Sequence, residues 1–128
     1  MTTKFKKGKY YIGDPCYVIS DKEWNSFCNA SFDTNDSVIP WKDGITWAHG
    51  THEGDGTYYD QDKREYGVDS GLIGCTPFEY YTKLNYSIEK LESLGQIVQF
   101  DKPFTCEYND GIYTIGHIVI DTSGENND

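Results

Sequence analysis

The sequence predicts an α+β fold: a single compact domain with a mostly antiparallel β-sheet and two or three short helices. Three observations favour this class. Short apolar segments alternate with Gly- and Asp-rich turns along most of the chain. Two further segments have helical spacing behind a serine that can cap a helix. Near the end, Asp110-Gly111 separates two alternating segments, which is typical of a β-hairpin.

The first half of the chain predicts a strand, a helix and then several more strands. "KYYIG" is the first strand. Ser20 and Glu23 have the spacing of a capping box, which predicts a helix over residues 21 to 29. "GITWAHG", "GTYYDQD" and "REYGVDSGLIGC" have the composition of strands separated by turns.

The second half predicts two helical segments and a set of strands. Pro77 suits the first turn of a helix over "FEYYTKL", and Ser87 can cap "IEKLESL", which Gly95 ends. "GIYTIGHIVI" is largely apolar on both faces, so we expect one central strand that is covered on each side. His117 is then expected to be packed inside it.

The length of 128 residues fits one domain, which we place at residues 1–121, followed by a disordered acidic tail at 122–128. No run approaches the roughly 20 apolar residues of a membrane span, and the N-terminus lacks the apolar stretch of a signal peptide. We therefore expect a cytoplasmic protein without a membrane partner. The cysteines are widely spaced, which favours free, mostly buried thiols over disulfides. They are Cys16, Cys28, Cys75 and Cys106.

The net charge of -10 argues against direct nucleic-acid binding, because that affinity comes largely from Lys and Arg. "KFKKGK" is a local basic patch, which we interpret as a solvated N-terminal arm. The carboxylates are spread along the chain rather than massed, which also disfavours nucleic-acid mimicry. The 11 tyrosines favour a recognition surface. The scarcity of Arg beside abundant Lys, Asn and Ile is typical of a low-GC bacterium or its viruses.

Asp14-Pro15-Cys16 can be a chemical site or a turn. A catalytic cysteine needs a lowered pKa and a base within hydrogen-bond reach. Cys16 lies four residues before the predicted helix cap, and no histidine is near it in sequence. We therefore interpret the tripeptide as a turn in which Asp14 accepts backbone N–H bonds and Cys16 packs as a small apolar side chain.

Residues 47–62 form a polar, Gly-rich segment with neighbouring aromatic residues. Zinc requires three or four His, Cys or carboxylate ligands, and the candidates here are His49, His52 and Asp55. Two histidines three residues apart on a strand point to opposite faces, so only a turn would let them share a metal. The alternative is a polar loop between strands, which is still the place where binding residues are expected.

The Asp69-Ser70-Gly71 triplet also occurs in aspartic proteases, where two copies face each other and share a proton. This chain has one copy, so a protease would need a symmetric dimer, and the predicted helices do not suit that all-β fold. We interpret the triplet as a turn. Three acidic turns could meet at one end of the sheet and form an acidic, aromatic-lined pocket. The predicted ligand-binding residues are Asp14, Trp47, His49, Asp55, Tyr58, Tyr59 and Asp69.

"YYIGDPCYVISDKEWNSFC" and "GDGTYYDQDKREYGVDSGLIGCTP" together resemble a set of small uncharacterised bacterial and phage proteins. These carry G-D-P-C-Y, then G-D-G-x-Y, then V-D-[SA]-G-x-[IL]-G, over roughly the first 80 residues. The set has no established activity, so the resemblance implies a bacterial or phage origin and assigns no catalytic residue. It also implies that its motif residues form one connected end of the fold. They include Asp14, Cys16, Asp55, Tyr58, Asp69 and Gly71.

The function expected from the sequence is non-catalytic binding. The protein is expected to hold a host protein, or a small molecule such as a nucleotide signal, through a Tyr-rich acidic surface, with no cofactor. If phage-encoded, it would act in the host cytoplasm. The alternative is a small hydrolase that uses Asp14 and Cys16 with a histidine such as His49, or a metal held by His49, His52 and Asp55.

Overall fold

The computed structural model describes residues 2–32, 37–51 and 53–123, without the side chain of residue 32. These residues form an α+β fold of two α-helices and eleven strands in three antiparallel sheets, which confirms the predicted class. The helices are α1 (Asp21–Phe32) and α2 (Ile88–Leu94). The strands are β1 (Thr2–Phe5), β2 (Gly8–Gly13), β3 (Val38–Trp41), β4 (Gly44–Gly50), β5 (Gly56–Tyr59), β6 (Glu65–Val68), β7 (Leu72–Pro77), β8 (Gln96–Phe100), β9 (Phe104–Asn109), β10 (Ile112–Ile115) and β11 (Ile118–Asp121).

The central layer is a five-stranded sheet with the order β3-β4-β7-β2-β8. A four-stranded sheet with the order β1-β9-β10-β11 covers one of its faces, and β5 and β6 form a separate hairpin. Side chains of a strand alternate between its faces. Tyr10 and Ile12 of β2 accordingly pack with Tyr113 of the four-stranded sheet, whereas Tyr11 packs with Phe27 of α1 and Leu91 of α2. The central sheet is therefore buried on both faces.

The capping predictions differ in outcome between the two helices. Ser87 Oγ accepts a hydrogen bond from the Lys90 N–H at 3.1 Å, so the predicted cap of α2 is confirmed, and Gly95 follows its last residue. α1 begins at Asp21 as predicted but runs to residue 32. Its capping box is wrong: the Ser20 N–H donates to Thr82 Oγ1 at 3.0 Å, and Glu23 binds Lys42 instead.

The helix predicted over residues 78–84 is wrong beyond its first turn. A single 3-10 turn spans Phe78–Tyr80. The chain is then held in a different conformation because the N–H groups of Thr82 and Lys83 both donate to the Val18 carbonyl, at 2.8 and 3.1 Å. These tertiary hydrogen bonds outweigh the local helical preference.

The segment 112–120 is also not one strand. Gly116 adopts a φ of +60° and turns the chain, so that β10 and β11 pair as a hairpin. His117 lies in this turn and is exposed, so its predicted packing inside the sheet is wrong. The hairpin at Asp110-Gly111 is confirmed, with φ values of +51° and +87° that suit its turn.

Thr122, at the start of the predicted tail, is fully buried, and its hydroxyl donates to the Gly111 carbonyl at 2.6 Å. Residues 124–128 of that tail lie outside the described residues. Across the described ranges, neither helix has the length and apolar character needed to cross a lipid bilayer.

Candidate functional site

The carboxylate of Asp14 is completely buried and accepts four hydrogen bonds. Oδ1 accepts from the Cys16 N–H at 2.9 Å and from the Ser70 hydroxyl at 2.6 Å. Oδ2 accepts from the N–H groups of Asp69 at 2.9 Å and Ser70 at 2.7 Å. A buried carboxylate is tolerated when it is paired or fully hydrogen-bonded in this way. Asp14 therefore fastens the Asp-Pro-Cys turn to the Asp-Ser-Gly turn.

Tyr17 makes a second connection between the same two turns. Its hydroxyl donates to Asp69 Oδ2 at 3.0 Å. Burial, followed by the hydrogen bond to Asp69 and its charge, raises the pKa of Tyr17 well above the ordinary value. The phenol therefore stays protonated and remains a donor at neutral pH.

The third acidic turn, around Asp55, adjoins the other two. A Cβ placed on Gly71 would lie 3.8 Å from Asp55 Oδ1, and the Thr51 N–H donates to the Gly71 carbonyl at 2.9 Å. Asp14, Asp55 and Asp69 are thus brought to one end of the fold. Asp55 and Asp69 are exposed, whereas Asp14 is buried and its carboxylate is occupied by four hydrogen bonds from the protein.

The aromatic residues predicted to line this end lie mostly inside the protein. Trp47 and Tyr58 are buried, and Tyr58 donates its hydroxyl to the Gly54 carbonyl at 2.7 Å. His49 is half-buried and stacks on Tyr108 with 3.5 Å between ring centroids. Tyr59 is 46% exposed, and is the one predicted aromatic residue with a largely free surface.

The tyrosines as a group serve the core more than the surface. Seven of the 11 are buried. They are Tyr10, Tyr11, Tyr17, Tyr58, Tyr66, Tyr80 and Tyr113. The high tyrosine content is therefore explained largely by packing, since each ring supplies much apolar contact area.

The chemistry predicted for Cys16 has little support in its surroundings. Burial raises the pKa of the Cys16 thiol well above its ordinary value of 9.0, and the charge of Asp14 raises it further. The thiolate, which is the nucleophilic form, is therefore scarce at neutral pH. Of the predicted metal ligands, His52 lies outside the described residues. Across the described ranges, no three His, Cys, Asp or Glu side chains are arranged to hold a metal.

A cavity of about 700 Å³ lies between the link from β1 to β2, the β3–β4 turn and the 3-10 turn at Phe78–Tyr80. We call it the lysine cavity. Four of the ten lysines of the chain line it. They are Lys4, Lys6, Lys7 and Lys9. Its aromatic lining consists of Phe5, Tyr10, Phe78 and Tyr80.

The positive charges of these lysines are only partly neutralised by carboxylates of the protein. Lys4, Lys6 and Lys7 form no ion pair with any residue in the part of the chain that the structure describes. The Lys9 ammonium lies 4.8 Å from the centre of the Phe78 ring, a cation–π contact. The two carboxylates of the lining, Asp43 and Glu79, offset only half of the four positive charges.

The hydroxyls of two buried tyrosines are fixed beside the cavity. Tyr10 donates to the Lys6 carbonyl at 2.8 Å, and Tyr80 donates to Asp43 Oδ1 at 3.0 Å. Burial is the first cause that raises the pKa of each phenol to about 12. Both remain protonated at neutral pH, and their hydrogen bonds hold Lys6 and Asp43 in place.

The sequence does not predict the lysine cavity. "KFKKGK" has the charge pattern of a solvated arm, but Phe5 and Tyr10 are buried and anchor the segment in β1 and β2. The available signal was the aromatic residue between Lys4 and Lys6, since a buried ring inside a charged run indicates a strand with one face covered.

No protein-family model matches the chain, and no curated protein or solved structure shows significant similarity to it. The acidic turns and the lysine cavity differ in their chemistry. At the acidic turns, which we call the turn end, the Asp14 carboxylate and the Tyr17 phenol hold two turns together. The lysine cavity offers cationic and aromatic groups that have capacity for a ligand.

Proposed function

We propose that the protein is a non-catalytic binding protein that holds an anionic small molecule with a planar ring, of the nucleotide class, in the lysine cavity. The observation that carries this proposal is the joint lining of one cavity by four lysines and four aromatic side chains. Phosphate is attracted by ammonium groups, and a nucleobase stacks on aromatic rings. A nucleotide has both parts.

The overall charge supports a role for these lysines. A protein with a net charge of -10 repels small anions over most of its surface. Four lysines concentrated at one cavity reverse that field locally, so an anionic ligand is directed there. Solubility alone does not require lysines to be clustered at one cavity.

The size of the cavity supports a small molecule. Ligand pockets typically measure about 300–1,000 Å³ and combine an apolar lining with a few placed polar groups. The lysine cavity, at about 700 Å³, lies within this range. Ile45 and Pro77 add to its apolar lining.

The hydrolase alternative has less support. The carboxylate of Asp14 is occupied by four backbone and hydroxyl donors, and the Cys16 thiol is kept protonated by its surroundings. A metal held by His49, His52 and Asp55 depends on a residue outside the described ranges. A host-protein partner would meet Tyr59, Asp55 and Asp69 as the exposed part of the turn end.

The same proposal includes a bacterial or phage origin and a cytoplasmic location, which is the host cytoplasm for a phage protein. Two observations support this part of the proposal. One is the motif resemblance, and the other is an amino-acid usage typical of AT-rich genomes, with Arg64 as the one arginine against ten lysines. Nucleotides are abundant cytoplasmic metabolites and signals, so the proposed ligand class and the location agree.

Isothermal titration calorimetry with GMP, AMP, adenosine and inorganic phosphate at low salt tests the proposal. We expect at least one nucleotide to bind more tightly than adenosine or phosphate alone, since each of these lacks one half of the recognised chemistry. Replacing Lys6 and Lys7 by Ala should weaken that binding about fivefold, given roughly 0.5 kcal/mol for each exposed charge contact.

The matched control is the pair Lys22→Ala and Lys102→Ala, which removes two exposed lysines outside the cavity. It should leave nucleotide affinity nearly unchanged. The proposal is wrong if neither nucleotide binds, or if both double variants lose affinity equally.

A further inference from the structure

The lysine cavity contains two kinds of charge on different segments of the chain. The lysines belong to β1, β2 and the link between them. Asp43 lies in the turn between β3 and β4, and Glu79 in the 3-10 turn. A ligand that is purely anionic would gain from the lysines but would be repelled by the carboxylates. The full lining therefore suits a molecule that is anionic at one end and donates hydrogen bonds at the other.

Asp43 is held in a defined orientation. Tyr80, which is 5% exposed, donates its hydroxyl to Asp43 Oδ1 at 3.0 Å. The Tyr80 hydroxyl also lies against Gly44, where any side chain would collide with it. The turn and the phenol are therefore fitted to each other. Asp43 Oδ2 accepts no hydrogen bond from the described residues, and the side chain is exposed.

A carboxylate accepts hydrogen bonds and donates none. On its pairing edge, guanine carries two adjacent donors, the ring N1–H and the 2-amino group, and a carboxylate can accept both. Adenine carries one amino group beside a bare ring nitrogen, whose lone pair is repelled by a carboxylate. Hypoxanthine keeps the N1–H but lacks the 2-amino group, so it has one of the two donors.

We infer that the lysine cavity selects guanine nucleotides. The Asp43 carboxylate accepts hydrogen bonds from the guanine edge, and the lysine segment, residues 4–9, binds the phosphate. The inference rests on the proposed nucleotide binding and adds the identity of the base. Phe78, which is half-buried, lies in the same lining and offers apolar ring surface to the base. Tyr80 is the positioning residue, because it acts through Asp43.

The test is a calorimetric titration of the full chain with GMP, IMP and AMP under one buffer and salt condition. We expect affinity to fall in the order GMP, IMP, AMP, with about tenfold or more between GMP and AMP, as for other paired base contacts. This order is measured on the unaltered protein, so it does not depend on the folding of any variant.

Asp43→Asn replaces one acceptor oxygen by a donor amide at nearly constant shape. We expect it to remove most of the preference for GMP over AMP, and Tyr80→Phe to reduce that preference in the same direction. Glu79→Gln is the matched control, because it neutralises the other carboxylate of the lining. It should keep the order of the three ligands.

The outcomes separate the inference from the function it rests on. Equal binding of the three nucleotides overturns guanine selection and leaves nucleotide binding standing. Binding of none of them overturns both. Retention of the GMP preference in Asp43→Asn, or its loss in Glu79→Gln alone, overturns the assignment to Asp43.

Discussion

Ser70 holds the carboxylate of Asp14 by two hydrogen bonds, one from its N–H at 2.7 Å and one from its hydroxyl at 2.6 Å. The two residues are 56 positions apart in the chain. They belong to the two short motifs that most resemble chemical sites in the sequence. Their geometry shows that the motifs complete each other as a structural joint.

Replacing Asp14 by Ala should lower the free energy of unfolding by about 3 kcal/mol or more. The substitution leaves the N–H groups of Cys16, Asp69 and Ser70 without their common acceptor, and unsatisfied buried donors are costly. Urea denaturation followed by circular dichroism measures the change. Asp101→Ala, at an exposed position, should change stability by less than about 0.5 kcal/mol. Equal effects of the two substitutions would contradict the role of Asp14.

Cys16 should react slowly with iodoacetamide at pH 7, because burial and the charge of Asp14 raise the pKa of its thiol. A raised pKa means that the fraction of reactive thiolate is small at pH 7 and keeps rising with pH beyond the ordinary pKa value of 9.0. Labelling followed by peptide mass spectrometry should therefore show a rate that still climbs above pH 9, where a free cysteine derivative levels off. Labelling at pH 7 that is faster than this derivative would restore Cys16 as a nucleophile.

Glu23→Gln should destabilise the protein at pH 7 by about 0.5 kcal/mol, the scale of an exposed ion pair. The hydrogen bond from Lys42 and the charge of that lysine lower the pKa of Glu23 below its ordinary value of 4.5. The stabilisation is therefore present above pH 4.5 and is lost as pH falls through the lowered pKa.

Urea midpoints of Glu23→Gln and the unaltered protein should thus differ at pH 7 and converge near pH 3. Glu65→Gln, which replaces an exposed carboxylate on β6, is the control and should show little difference at either pH. A gap of the same size at both pH values would contradict an electrostatic origin.

Gln61→Ala should loosen the outer strand of the four-stranded sheet. The Gln61 amide donates to the His117 carbonyl at 3.0 Å and accepts from the Val119 N–H at 2.9 Å, so it pairs with the outer edge of β11. Two lost hydrogen bonds of about 0.5–1.5 kcal/mol each predict about tenfold faster exchange of the Val119 amide, or more.

Hydrogen–deuterium exchange with site resolution measures that rate. Gln99→Ala removes an exposed glutamine from β8 and should leave the Val119 amide unchanged. An unchanged rate in Gln61→Ala would show that the amide does not protect the edge.

Features that depend on local backbone preference were readable from the sequence. Asp110-Gly111 forms its turn because both residues take positive φ values. Ser87 caps α2 because a hydroxyl at that position reaches the N–H three residues later. The strand "GITWAHG" was also placed within its bounds, since its composition and flanking glycines are a local signal.

Features that depend on distant partners were not readable. The segment after Tyr80 leaves the helical path because two N–H groups are taken by Val18, more than 60 positions earlier. The sequence predicts a strand through Gly116, because a single glycine in an apolar run does not reveal its φ value. The hairpin that it creates leaves His117 exposed in the turn.

In the candidate sites, too, the sequence predicts local features but not those that depend on distant partners. The acidic turns were identified from Gly and Asp, but the burial of Asp14 depends on donors supplied by Asp69 and Ser70. The lysine segment has a charge pattern that suits an exposed arm. Only its pairing with β7, β8 and β9 converts it into the wall of a cavity.

β1 and β2 belong to different sheets, although Lys6 and Lys7 alone separate them in the chain. Because this link is only two residues long, the two sheets cannot slide past each other where it joins them. The segment from Lys4 to Lys9 is therefore a rigid connection between the two sheets. A ligand that binds there orders little of the protein, so binding costs little conformational entropy.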